Sequence, residues 1–416
     1  MSRARGVAIT GIGAVTPIGI GVDGFWQGIQ RGKPAVKLLT RFDPTPFRSR
    51  LAAEIDDFQP REHLTEKRAR RLDRFSQLAV VAGLQAMADA ELDRDDGELP
   101  DTAGCYLGSA LGGVAFAETQ HRAFLAHGAS AVNPSLALAV FGGAAASNVA
   151  IELGLRGASL SNSNSCASGA IAIGEAFRLV RDGHADVMLA GGVEAPLAPL
   201  TFGSFALIRA MSTWQDDPAA ASRPFDHRRD GFVMGEGAAI VVLESLPRAY
   251  ARGAHIYAEI RGYATTNDAH DMLAPLPDGA QAARAIELAL ADAALLASSI
   301  DYVNAHASAT PIGDRAEAVA IARALGEGVA RVPVSGTKGL YGHPLGASGA
   351  FETAISALAI QHGYLPGTAN LERSDPGNTL NVLGPSGLRR QPRVVLNNAF
   401  GFGGINAALV LTQPGA

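Results

Sequence analysis

Residues 158–183 read ASLSNSNSCASGAIAIGEAFRLVRDG, and the reading of this stretch decides the fold. Residues 158–161 form a short strand candidate. A polar link follows, and then Ile173, Ala176, Phe177 and Val180 recur at helical spacing, which predicts a helix over Ser168–Arg181. Cys166 falls at the junction, in the first turn of that helix. Unpaired backbone N–H groups and the positive end of the helix dipole favour anions there, so the position predicts a thiol of lowered pKa that is nucleophilic near neutral pH. Its neighbours Ala167, Ser168, Gly169 and Ala170 are small enough to admit a bulky carbonyl compound. The residues alone also allow a buried structural cysteine.

Outward from this unit, β-branched runs alternate with helical patterns. Strands are expected at 7–10, Gly104–Gly108, 186–190 and 239–243, and helices at 66–90 and 134–153. After residues 245–254 the pattern starts again, with strands at 256–262, 302–306, 332–335 and 394–397 and helices near 282–294, 314–325 and 347–362. This order predicts an α/β protein with a buried, mixed or parallel sheet, in two halves, 1–250 and 251–416. The duplication is expected in architecture and not in sequence, since no fixed short repeat is present.

Composition narrows the function classes. With 416 residues, 47% hydrophobic and 18% charged, the chain can bury one large core or two medium ones. A net charge of −5 excludes a generally basic nucleic-acid binder. Two cysteines, Cys105 and Cys166, make no disulfide framework and no CxxC site, which fits a reducing compartment. The N-terminal stretch is too short in apolar residues for a signal peptide, and no run of about 18 apolar residues spans a bilayer, so a cytoplasmic protein off the membrane is expected. Gly11-Ile-Gly13 lacks a third glycine at Thr16, which removes a dinucleotide fingerprint. Lys67, Arg68, Arg70 and Arg71 open the 66–90 helix, either as a solvated face or as a docking patch for an acidic partner.

The second half offers groups that a nucleophilic cysteine needs. Asp301 to His306 reads as a buried strand ending in a histidine, where α/β sheets present reactive groups, although a hydrogen-bonded core histidine fits the same pattern. Ser335 to Ala350, SGTKGLYGHPLGASGA, puts Lys338 and His343 in a glycine-rich loop before an apolar helix. Residues 397–404, NNAFGFGG, combine Phe400, Phe402 and three glycines, a turn whose N–H groups are able to cradle an oxyanion.

These segments, together with VAITGIGAVTPIG at 7–19, AGGVEAPLAPL at 190–200 and STWQDDPAAASRPFDHRRDGFVMGEGAAIVVLE at 212–244, resemble the β-ketoacyl-acyl-carrier-protein synthases of the elongating type I and II classes, nearest synthase II. The resemblance covers nearly the whole chain, in order. It implies the thiolase fold, a duplicated α-β-α-β-α five-layered architecture, usually paired as a homodimer and in some relatives as a heterodimer with a related subunit. It implies acyl carrier protein as partner, with substrates carried on its phosphopantetheine, no bound cofactor and no metal. Residue by residue, Cys166 resembles the acyl-accepting nucleophile, and His306 and His343 resemble the pair that serves malonyl decarboxylation. The N–H groups of Cys166 and Phe402 resemble the oxyanion hole. Lys338 resembles the buried lysine, and Glu317 its carboxylate partner. Ser308 and Thr310 stand where two threonines bind the pantetheine arm, Phe402 resembles the gating aromatic beside the nucleophile, and Phe400 is expected to bind substrate. Leu111 and Phe205 fall at acyl-tunnel positions, and Arg70, Arg71 and Arg209 at carrier-docking ones.

Three departures stand out: Ala307 where glycine is usual, which places a methyl toward the pantetheine channel; Asp271 before Met272; and Ile405 for a threonine. They bear on chain length and on fatty acid against polyketide or polyene synthesis. Two other readings remain. A non-elongating, chain-length-factor-like partner subunit would lack the nucleophilic cysteine, and the presence of Cys166 with both histidines argues against it; a thiolase would need a cysteine in the second half, which contains none.

Overall fold

Strands separated by helices along the chain meet in one sheet. A computed structural model describes residues 5–92 and 99–415. The first half contributes β1 (Val7–Thr16), β2 (Gly104–Gly108), β3 (Ser159–Asn162), β4 (Val187–Glu194) and β5 (Gly237–Ser245). The second contributes β6 (Ala258–Asn267), β7 (Tyr302–Asn304), β8 (Pro333–Ser335), β9 (Val394–Gly401) and β10 (Ile405–Thr412). Across the sheet they run β8-β7-β9-β10-β6-β1-β5-β4-β2-β3.

The five strands named in each half repeat in the same order; the twelve-stranded sheet also holds Gly19–Ile20, paired with β1, and Asn381–Val382, parallel to β8 at its edge, which among the described residues have no counterpart in the other half. Neighbours β1, β5 and β4 are antiparallel and β4, β2 and β3 parallel; β6, β10 and β9 are antiparallel and β9, β7 and β8 parallel. Antiparallel pairing of β1 with β6, from Val7 opposite Ile260, joins them. Even the irregularities recur: a bulge lies between Ile9 and Gly11 and another between Ile260 and Gly262. Each glycine is required by a close helix, because a Cβ would stand 2.3 Å from Ala86 O at Gly11 and 2.2 Å from Ala289 O at Gly262.

The helices complete five layers. Helix α1 (Arg74–Asp89) covers the outer face of the first-half strands, and α3 (Ala280–Asp292) and α4 (Pro311–Leu325) that of the second half. Between the halves lie α2 (Ser168–Arg181) and α5 (Ser348–His362). Strand alternation follows: Ala239, Val241 and Leu243 of β5 face α2 and α5, whereas Ala238, Ile240 and Val242 face α1. In β10, Ala407, Leu409 and Leu411 turn inward and Ala408 and Val410 outward. Helix α5 is buried on every side from Ser348 to Ile360, as its nearly unbroken apolar sequence requires.

Two expected helices are broken. The 66–90 segment divides into Glu66–Arg71 and α1, because Asp73 leaves helical geometry and caps α1 by accepting the Ser76 N–H at 3.2 Å. The 134–153 segment divides into Leu136–Ala139 and Ala144–Leu153 around Gly142 and Gly143. Within the architectural repeat one short stretch of sequence recurs as well. Superposing the strand orders equates Cys166-Ala-Ser-Gly-Ala170 with Gly346-Ala-Ser-Gly-Ala350, each ahead of a central helix and each preceded by a residue at positive φ, Ser165 at 51° and Leu345 at 40°.

Candidate active site

The turn from β3 into α2 presents Cys166. A single 3-10 turn, Ser165–Ala167, links them, and Ser168 Oγ locks it by donating to Ser165 O at 2.7 Å. The left-handed φ of Ser165 is the strain that the sharp turn costs. Cys166 is buried at 7% exposure. Burial pushes its thiol up to about 12; the Lys338 charge lowers it, the Glu194 charge raises it, and a hydrogen bond from the Phe402 N–H lowers it. This direction is opposite to the lowering expected from the helix position, and burial is its largest cause.

His306 lies just past the end of parallel strand β7, with its ring centroid 5.3 Å from that of His343. Both rings are held neutral, their pKa values well below 6.5, first by burial and then by the Lys338 charge. His343 Nδ1 lies 2.8 Å from Ser348 Oγ at the start of α5. A neutral imidazole keeps one N–H donor, so each ring is able to donate to a developing anion.

The lysine is paired differently from the expectation. Lys338 is fully buried and donates to the carboxylate of Glu352 and to His306 O, not to Glu317. Glu317 instead accepts the N–H groups of His306 at 2.8 Å and Ala307 at 2.6 Å, and Asn398 Nδ2 at 3.3 Å. It holds the histidine's backbone while Glu352 holds the ammonium. Burial raises the pKa of both Glu317 and Glu352, and the Lys338 charge opposes it in both, most directly at Glu352, which the ammonium touches. Glu352 escaped the sequence reading, yet it left a signal: it is the lone acid in the apolar 347–362 segment, and a buried carboxylate requires a partner.

A cavity of about 310 Å³ brings Cys166, His306, His343, Phe400 and Phe402 together, with Ser308, Thr310 and Arg209 also on its wall. Ser308 Oγ and Thr310 Oγ1 are 2.9 Å apart, and Thr310 caps α4 by accepting the Gly313 N–H. Phe400 packs 6.0 Å from the His306 ring. Leu111 and Phe205 are outside this cavity, in an apolar cluster with Cys166, Phe202 and Leu345; Phe205 stacks on Phe402 at 6.3 Å. Phe402 thus stands between cavity and cluster.

Of the basic residues, Lys67, Arg70 and Arg71 are exposed, with Arg70 on Glu66 at 2.6 Å. Arg68 is drawn inward to Glu152 at 2.8 Å. The Ala307 methyl does not enter the channel. At φ 38° and fully buried, Ala307 turns its Cβ toward Gly336, close to Pro224. Asp271 accepts the Leu273 and Ala274 N–H groups in an exposed loop, and Gly403 N–H donates to Met272 O, tying that loop to the hairpin tip that carries Phe402. Ile405 opens β10 opposite Gly401.

The models of two families match, the β-ketoacyl synthase N-terminal domain over residues 4–249 and its C-terminal domain over 257–372. This chain belongs to the β-ketoacyl synthase family. As such it is a condensing acyltransferase with the thiolase fold. The synthase is 42% identical over 407 residues to 3-oxoacyl-[acyl-carrier-protein] synthase 2 of Synechocystis sp., covering 98% of each. It is similar to a chain of a type II PKS acyl-carrier protein complex with its ketosynthase bound to the hexaketide, at TM-score 0.91 and 33% identity over 99% of both chains. It is similar also to the ishigamide ketosynthase/chain length factor, at TM-score 0.90 and 34% identity over 99% of this chain and 100% of that one.

Proposed function

We propose that this synthase extends an acyl chain by two carbons through decarboxylative Claisen condensation, taking both substrates from acyl carrier protein. The observation that carries the reading is the cavity in which Cys166, two neutral histidines and the Phe402 N–H converge. In the first half-reaction Cys166 Sγ attacks the acyl thioester. Its proton passes to the departing pantetheine sulfur, so no net proton is needed and a thiol protonated at rest is compatible with the step. In the second, malonyl thioester loses carbon dioxide, and the electron pair of the broken bond moves onto the thioester oxygen. N–H groups of His306 and His343 meet that oxygen; in the tautomer in which Ser348 Oγ, 2.8 Å away, donates to His343 Nδ1, the proton of this ring sits on Nε2 and faces the substrate side. The enolate carbon then attacks the acyl carbonyl, the N–H groups of Cys166 and Phe402 stabilise the tetrahedral oxyanion, and its collapse expels the thiolate of Cys166, which takes up one proton from solvent and so balances the negative charge brought in by the malonyl carboxylate.

Burial first, and then the Lys338 ammonium, keeps both histidines neutral, each with one N–H to donate at neutral pH. Ser308 and Thr310 bind the pantetheine arm, Phe402 gates the acyl cluster where Leu111 and Phe205 lie, and Lys67, Arg70, Arg71 and Arg209 meet the acidic carrier. The halves 1–250 and 251–416 divide the work, nucleophile in one and decarboxylation groups in the other. Strand β3 leaves an exposed sheet edge, and Leu125 and Leu138 are exposed, which supports pairing with a second thiolase-fold chain, either a copy of itself or a related subunit.

Intact-protein mass spectrometry after incubation with acyl carriers of graded chain length, then with malonyl carrier, tests the reading. Acylation at Cys166 followed by a product two carbons longer is expected. Label retained in Cys166→Ala, or no extension from any chain, would overturn it.

A further inference from the structure

The internal duplication assigns a place to a residue that the reaction leaves unused. Registers equate Glu194, the last residue of β4 and opposite Gly237, with Gly401, the last residue of β9 and opposite Ile405. They sit against equivalent elbows. At Gly401 an added Cβ would stand 3.1 Å from Cys166 N, so a residue without a side chain leaves that elbow's N–H open. At the second elbow the opposite holds. Glu194 Oε2 accepts Gly346 N–H at 3.0 Å, so a carboxylate fills the place where an oxyanion would lie in the first half. A Cβ on Gly346 would meet Ala110 N at 2.3 Å and Glu194 Oε2 at 2.7 Å, which closes the position to a second cysteine.

The same carboxylate reaches into the other half-site. It accepts Ala110 N–H at 2.7 Å, Leu111 N–H at 3.2 Å and Ser109 Oγ at 3.0 Å, and Ser109 Oγ in turn accepts Gly112 N–H at 2.9 Å. Glu194 is fully buried and, among the described residues, forms no salt bridge. Its four donors are thus its whole compensation for lost water. They come from two places: the loop whose Leu111 packs with Cys166, Phe202 and Leu345, and the elbow three residues after His343.

We infer that Glu194 is a positioning residue that clamps the acyl-side loop, residues 109–112, to the elbow following His343, so that one carboxylate sets the geometry of both half-reactions. The inference rests on the reaction proposed above. A carboxyl group is suited to this task because its two oxygens gather donors from separate segments; burial pushes it up to about 7, against the opposing pull of those four donors.

Glu194→Gln is the direct test, since its amide nitrogen must turn toward an N–H donor. Acylation of Cys166 by acyl carriers and carbon dioxide release from malonyl carrier are measured separately, per folded molecule. Both rates are expected to fall about tenfold with carrier KM values within about twofold, the pattern of misplaced reacting groups and not of lost binding. Ser109→Ala, which loosens the acyl side alone, is expected to shift the chain-length profile of acylation and leave carbon dioxide release unchanged. A lower Tm with both rates intact, or loss confined to one half-reaction in Glu194→Gln, would overturn the clamp. If Glu194→Gln does not fold, an unchanged chain-length profile in Ser109→Ala overturns it. Inactivity of the unaltered protein in both assays would instead overturn the reaction, and the clamp with it.

Discussion

Replacing Glu352 by glutamine isolates the disagreement between Glu352 and Glu317 over Lys338. Lys338 and Glu352 are both fully buried, and the ammonium's other partner is the neutral carbonyl of His306. Glu352→Gln therefore leaves a positive charge in the core without its counter-charge, a loss of about 3–5 kcal/mol for breaking a buried pair from one side. Unfolding entropy of about 2.1 cal/mol/K per residue over 416 residues is about 0.9 kcal/mol/K, which converts that loss to a Tm drop of roughly 3–6 °C. Removing both charges with Lys338→Met and Glu352→Leu is expected to recover most of the loss, because isosteric apolar replacement of a buried pair is close to neutral. Glu317→Gln removes the acceptor of the His306 and Ala307 N–H groups and is expected to depress carbon dioxide release from malonyl carrier more than Tm. Thermal unfolding followed by circular dichroism, with decarboxylation assayed on the same samples, reads all four proteins. A larger Tm loss in Glu317→Gln than in Glu352→Gln, or no recovery in the double variant, would refute the pairing.

Alkylation of Cys166 by iodoacetamide is expected to rise about tenfold per pH unit from pH 7 to 9 without a plateau, since a thiol pushed up to about 12 gains thiolate throughout that range; a plateau below pH 8 would return control to the helix end. Gly401→Ala puts a methyl about 3.1 Å from Cys166 N and is expected to slow acylation at least about tenfold while leaving carbon dioxide release near the unaltered rate. Ala307→Gly should leave KM for carrier substrates unchanged, because the methyl points toward Gly336; a lowered KM would place it in the channel after all. Lys67→Glu with Arg71→Glu should weaken carrier binding in a salt-dependent way, whereas Arg68→Glu, which breaks the pair with Glu152, should lower Tm as well.

What could be read along the chain was whatever depends on near neighbours. Continuous apolar runs mark β4, β9 and α5, which are buried on both faces or on every side, and a period-3.6 pattern marks α2, each within a few residues. The break at Asp73 was hidden, since one capping aspartate does not interrupt the apolar pattern that runs through it. The site failed where the answer depends on tertiary distance. Glu317 is eleven residues from His306 and holds its backbone, while the ammonium's partner arrives from α5 on the far side of the lysine. The thiol of Cys166 was read from its helix end, a local property, but its pKa is governed by burial among residues from both halves.

The repeat shows the same division most sharply. Ala-Ser-Gly-Ala at 167–170 and at 347–350 is too short and too small in side chains to stand out from a chain with 48 glycines, and only the pairing of β4 with β5 and of β9 with β10 makes the two elbows equivalent. Once they are equated, the chemical difference between the halves reduces to two positions. Cysteine faces a side-chain-free Gly401 in one elbow; glycine faces the carboxylate of Glu194 in the other. An elbow whose N–H is already bonded to an anion has no donor left for an oxyanion, so restoring a cysteine at Gly346 would not restore a second reactive centre. In the proposed reaction only the Cys166 elbow accepts an acyl group, and the carboxylate that occupies the other elbow also bonds the 109–112 loop beside the first.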